Sequence, residues 1–153
     1  MGNTLKEKGD LEAAIESYKK AIKIKPGYAD PYNNMGIALN HKGDLEAAIE
    51  SYKQAIKIKS DYAQAFNNMG NTLKEKGDLE AAINSYKQAL KIRPDYAQAY
   101  SNMGIVLKGV VFTKPSSGLQ EVISLIIDRK NIVRPIDISR AAISLLKFEP
   151  VMK

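Results

Sequence analysis

Gly43-Asp44-Leu45-Glu46-Ala47-Ala48-Ile49, GDLEAAI, stands unchanged at residues 9–15, 43–49 and 77–83. Identical heptapeptides 34 residues apart set the period of the chain. A period of this length marks an architecture of stacked units, each too small to bury its apolar face alone. The spacing reaches beyond the heptapeptide: Gly2, Gly36, Gly70 and Gly104 keep it, as do Tyr18, Tyr52 and Tyr86. Within one period, Tyr32, Met35, Gly36 and Leu39 place apolar or small residues at helical spacing. Gly43-Asp44 interrupts them, and Leu45, Ala48, Ile49, Tyr52, Ala55 and Ile56 resume the pattern. This predicts a helical hairpin. Gly43 suits the left-handed conformation that ends a first helix, Asp44 can cap the amides opening a second, and Glu46 falls in its first turn. Small residues at Gly36, Ala48 and Ala55 belong where helices approach closely.

On Phe66, Met69-Gly70, Leu73, Ala82, Tyr86, Ala89 and Pro94 the unit resembles the tetratricopeptide repeat. The resemblance covers residues 1–108 and implies an all-α fold, a right-handed α-solenoid of helix-turn-helix units. Residues 1–28 are then a truncated first unit, 29–62 and 63–96 full units, and 97–108 the first helix of a fourth. Met1 aligns with Met35, Met69 and Met103, so the chain opens midway along a first helix. The remnant of about two turns is expected to fray, and the uncapped end to favour self-association. Ser60 stands where neighbouring copies carry Pro26 and Pro94; Asp61 is expected to cap the next helix in its place.

The copying stops after Lys108. Gly109 arrives early, and Val110-Val111-Phe112 replaces the expected corner. Leu119, Val122, Ile123, Ile126 and Ile127 form one helical stripe; Ile138, Ala141, Ala142, Leu145 and Leu146 form another. They predict a C-terminal pair of non-repeat helices near residues 119–129 and 135–147. Residues 109–153 therefore read as a cap with Phe112 as a plug, or as a connector to a further domain.

The 153 residues are 44% hydrophobic and 26% charged, which is ordinary for a globular protein. The net charge of +6 resides largely on the repeat. Lys53, Lys57 and Lys59 recur as Lys87, Lys91 and Arg93, alternating with apolar positions as a solvated helix face does. No aromatic or Gly-rich element accompanies them, so a nucleic-acid partner is not expected. No signal core or membrane-length apolar run is present, which leaves a cytoplasmic protein without a membrane partner as the expectation.

Cysteine is absent and His41 is the single histidine. Disulfides and thiol chemistry are thereby excluded. His41 occupies a position where the next copy has Glu75, a variable and exposed site. Ser17 and Lys20 match an S-x-x-K spacing by chance, because Ser51 and Ser85 in the same environment are followed by Gln54 and Gln88. Acidic residues do not pair with the histidine at ligand spacing, and residues 114–118 lack a phosphate-binding pattern. No catalytic residue, cofactor or metal is expected.

Binding remains, and asparagine points to where. Asn34, Asn68 and Asn102 share one repeat position on the first helix; Asn33 and Asn67, followed by Ser101, precede it; Asn3 and Asn71 come one turn later. An amide side chain donates and accepts, so a row of them can bond the backbone of an extended peptide whatever its side chains. Lys74, with Lys6, Lys108, Glu7 and Glu75, adds charge selectivity. The expected peptide-binding residues are Asn33, Asn34, Asn67, Asn68, Asn71, Asn102 and Lys74.

The segment around Phe66 is similar to the superhelical repeats of O-linked N-acetylglucosamine transferase, which implies that Asn34, Asn68 and Asn102 line a concave groove. The carboxylate clamp of chaperone-binding members of the family is not matched: Asn33, Gln98 and Asn102 stand where basic residues would be needed. Three functions stay open at this point: a scaffold that binds a peptide or partner protein, the substrate-presenting arm of a larger glycosyltransferase- or sulfotransferase-like enzyme, and a self-assembly module forming homo-oligomers through its ends.

Overall fold

The computed structural model describes the backbone of residues 2–108 and the side chains of residues 9–108. Phe112 and the helices expected at 119–129 and 135–147 lie outside the described residues. Six α-helices and no strand are found within them: α1 (Gly2–Ile24), α2 (Ala29–Lys42), α3 (Leu45–Ile58), α4 (Ala63–Lys76), α5 (Leu79–Ile92) and α6 (Ala97–Lys108). The chain divides into two compact bodies at Arg93 and Pro94. In the first body α2 packs on α3 and α4 on α5 as hairpins, α1 on α2 and α3 on α4 as stacking contacts, and α2 also touches α4. This is the stacking expected of an α-solenoid.

The GD corner forms as its residues dictate. Gly43 and Gly77 hold φ of 87° and 89°, left-handed values that cost a residue with a Cβ but not glycine. Each corner is closed by two backbone bonds: Gly43 N–H to the Asn40 carbonyl at 2.9 Å and Asp44 N–H to the Leu39 carbonyl at 3.0 Å, repeated as Gly77 to Lys74 and Asp78 to Leu73. These satisfy carbonyls the ending helix would otherwise leave unpaired. The carboxylates of Asp44 and Asp78 then accept from the amides of Ala47 and Ala81, both at 3.2 Å.

Beyond the corner, each hairpin is clamped by one contact. A Cβ added at Gly36 would lie 2.6 Å from the Tyr52 ring, and one at Gly70 would lie 2.6 Å from the Tyr86 ring. Only glycine lets the rings seat there, where Tyr52 and Tyr86 are 2% and 0% exposed. Ala48, Ala55, Ala82 and Ala89, at 0% exposure, flank the rings as the small residues a close approach requires. Burying one tyrosine removes on the order of 150–250 Å² from water, worth a few kcal/mol. The exposed ion pairs between repeats, Lys42 with Glu12 and Lys76 with Glu46 at 3.1 Å, are screened by solvent and contribute little. Apolar seating therefore governs.

Two features differ from expectation. Residues 2–8 are not a separate remnant, because α1 continues through Gly9 and Asp10 as one helix of 23 residues. Asp61 is not a cap either. The residue before α4 is Tyr62, which makes no side-chain cap bond. The turn is held by backbone instead, with Tyr62 N–H to the Lys59 carbonyl at 3.2 Å, the same bond and distance as Tyr28 to Lys25. Ser60 and Pro26 thus support one turn geometry.

Between repeats, Ala29, Ala55 and Ala65 form a buried cluster covered by Tyr32, Ile56 and Tyr62. The Tyr62 hydroxyl donates to the Asp30 carboxylate at 2.9 Å, tying α4's entry to α2. In the second body, Ala99, Tyr100, Met103, Gly104, Val106 and Leu107 of α6 are buried, and the Tyr100 hydroxyl donates to the Pro94 carbonyl at 3.1 Å.

Gly43→Ala is expected to lower stability by about 1–2 kcal/mol. Gly9→Ala should raise it by up to ~1 kcal/mol, since Gly9 is helical and a Cβ there meets nothing within 4 Å. Urea denaturation followed by circular dichroism measures both, and equal losses would show that Gly9 is also a corner. Alkali is a second probe. Burial pushes the Tyr52 phenol up to about 12; burial first, then the bond to Asp30, pushes Tyr62 up to about 12. Folded pKa values above the unfolded value of about 10 mean that this stabilisation is whole below pH 10 and drains away as pH rises through 12. The urea midpoint should fall across that window, and Tyr62→Phe should reduce the fall.

Candidate peptide-binding face

The contact between α2 and α4 brings the first helices of adjacent repeats together, and with them most of the asparagines. They are joined to one another. Asn68 Nδ2 donates to Asn33 Oδ1 at 3.1 Å, and Asn33 Nδ2 donates to Asn34 Oδ1 at 3.3 Å. Further along, Asn40 Nδ2 donates to Thr72 Oγ1 at 3.1 Å and to the Glu75 carboxylate at 2.7 Å, and Thr72 Oγ1 donates to the Asn68 carbonyl at 3.3 Å. A hydrogen-bonded strip thus crosses from one repeat to the next.

The expected site residues divide by exposure. Asn34 is exposed and Asn68 half-buried, whereas Asn33 and Asn67 are 2% and 0% exposed. The expectation that residues between the apolar positions all face water fails for Asn33 and Asn67. Adjacent residues on a helix stand about 100° apart, enough to carry Asn33 into the seam between α2 and α4 while Asn34 stays outside. Asn33 braces both neighbours. Each amide can take part at nitrogen and oxygen. Among the described residues, nothing occupies the Asn34 nitrogen or the Asn68 oxygen.

Asn71 is half-buried and accepts from the Tyr86 hydroxyl at 2.8 Å, so its oxygen is committed within its own hairpin. Lys74 is half-buried at the end of α4. Asn102, also half-buried, belongs to the second compact body. Glu75 lends the face negative potential: its charge helps burial raise the phenols of Tyr52 and Tyr86. Asn40 and Thr72 were not singled out from the sequence. Their signal lies in variation across the repeat: Asn40 replaces the lysine found at Lys6, Lys74 and Lys108, and Thr72, like Thr4, stands where Ala38 and Val106 occur. The two variable positions meet across the seam.

Other candidates are occupied by structure. The Ser17 hydroxyl donates to the Ala13 carbonyl at 2.8 Å, as Ser51 and Ser85 do to Ala47 and Ala81. His41 is exposed. Among the described residues no group of histidine and acidic side chains is disposed to hold a metal, and no helix is long and apolar enough to cross a membrane. An open cleft of about 450 Å³ between α1, α2 and α3 has Ile15, Met35 and Leu39 in its lining, with Lys19, Lys42 and Glu50. It lies apart from the asparagine strip.

Paired helices, a glycine seat for a tyrosine and the 34-residue period agree with a family model, that of the TPR repeat, matching residues 2–40, 38–77 and 70–109. The chain belongs to the TPR repeat family. A search of curated protein sequences found no match. Solved TPR structures do match. The O-GlcNAc transferase of Thermobaculum terrenum superposes with a TM-score of 0.65 at 22% identity over 84% of this chain. This chain spans 24% of that transferase. MamA gives 0.63 at 22% identity over 94% of this chain and 70% of its own. The second TPR domain of human RPAP3, solved in complex with an HSP70 peptide, gives 0.61 at 27% identity over 69% of this chain and 88% of its own.

Asn33→Ala is expected to destabilise the fold by about 1–3 kcal/mol, because it removes the acceptor of Asn68 inside a buried seam. Asn34→Ala should stay within about 0.5 kcal/mol. Chemical denaturation of the two variants, side by side, separates a brace from a surface group; equal effects would contradict the assignment.

Proposed function

We propose that this TPR array is a scaffold whose α2–α4 face binds an extended segment of a partner protein through that segment's backbone. One observation carries the reading. Asn34 and Asn68, on successive repeats, keep one amide donor and one carbonyl acceptor uncommitted, and the buried Asn33 fixes the orientation of both. A donor and an acceptor side by side complement the N–H and C=O of an extended chain. A brace that immobilises them lowers the entropy lost on binding. Asn102 shares the repeat position in the sequence, and Lys74 with Glu75 tunes which side chains are tolerated.

The human RPAP3 domain, a TPR structure bound to a peptide, supports the class of ligand. Charge does not favour an acidic tail as that ligand here, because Asn33, Gln98 and Asn102 are neutral. The reading requires no catalysis.

The triple variant Asn34→Ala, Asn68→Ala, Asn102→Ala tests it. Partners captured by the wild-type protein should bind the variant at least about tenfold more weakly in fluorescence anisotropy, since each lost hydrogen bond contributes roughly 1 kcal/mol. Far-UV circular dichroism should not change. Unaltered affinity contradicts the proposal.

A further inference from the structure

Residues 1–15, MGNTLKEKGDLEAAI, are identical to residues 69–83, yet the two copies fold differently. In the second copy the chain turns at Gly77, and Gly70 seats on the Tyr86 ring. The first copy runs straight through Gly9 within α1. Gly2 and Tyr18, the counterparts of Gly70 and Tyr86, are thereby 16 residues apart on one helix, about 24 Å at 1.5 Å per residue. They cannot meet within one chain in this form.

The surface that such a contact would cover is left open. Ala14, Tyr18 and Ala21 are half-buried, while their counterparts Ala48, Tyr52 and Ala55, and Ala82, Tyr86 and Ala89, are all buried. This face already has a known fit: a helix with the sequence of residues 69–76 seats on the same three residues, Ala82, Tyr86 and Ala89, in the third repeat. Residues 1–8 repeat that sequence, and residues 2–8 are held out on a straight α1.

We propose that two copies of this chain exchange residues 1–8, each N-terminal segment serving as the first helix of the other's first repeat. The α1 helices pair antiparallel about a two-fold axis near residue 10, with Gly2 of each copy on Tyr18 of the other. The interface is self-complementary, as a two-fold pair requires, and Gly9-Asp10 is the opened hinge. Opening gives up little, a helix cap and a favourable glycine position. The exchange restores both glycine–tyrosine seats, once per copy.

Sedimentation equilibrium of the full chain over a concentration series, with Gly2→Leu as the comparison, tests the exchange. The wild-type mass should rise from 16.9 kDa toward twice that value. Gly2→Leu fills the seat on both sides while improving helix propensity, so it should raise the dimer dissociation constant by at least about tenfold with helicity kept or increased. A single-chain mass at every concentration overturns the proposal. A dimer that Gly2→Leu leaves intact overturns it equally, since the contact would then lie elsewhere.

Discussion

A tyrosine ring laid against a glycine closes both complete hairpins in the first body, and the placement of the other elements there depends on it. At 2.6 Å from an added Cβ, the ring tolerates no other residue at Gly36 or Gly70 without shifting. The contact sets the distance between paired helices, and that distance explains why alanine is the residue at 48, 55, 82 and 89. Once the hairpins are fixed, so is the spacing of α2 from α4. That spacing is what lets Asn68 reach Asn33 at 3.1 Å. A packing constraint on one side of each first helix thereby positions polar groups elsewhere on it.

The polar strip supplies cohesion, and in the proposed function recognition as well. Asn33 and Thr72 are buried and link repeats; Asn34 and Asn68 extend from the same strip toward solvent. A ligand that engages the outer amides therefore acts on groups already joined across two repeats.

Much of this was legible in the residues. The period, the left-handed Gly43, the caps at Asp44 and Asp78, and the small residues at helix crossings are all dictated by local chemistry, and neighbours in space are close to neighbours in sequence. Two things were not legible. Gly9 and Gly77 lie within the same fifteen-residue sequence, so no local rule distinguishes the glycine inside α1 from the one that ends α4. The split between Asn33 and Asn34 turns on which adjacent position meets the seam with α4, and that depends on how two repeats stack. Asp61 illustrates the same limit: a good capping residue goes unused because the backbone turn and Tyr62 have already fixed where α4 begins.

The central claim is that a ligand's backbone meets the outer asparagines while the inner ones only brace them. Side-chain amide resonances of nitrogen-15-labelled protein, followed during titration with an extended peptide taken from a captured partner, test this most directly. The account predicts that the Asn34 and Asn68 amides shift first and farthest, with the buried Asn67 amide little changed. Shifts confined to residues around the Ile15, Met35 and Leu39 cleft, with Asn34 and Asn68 unmoved, would contradict it.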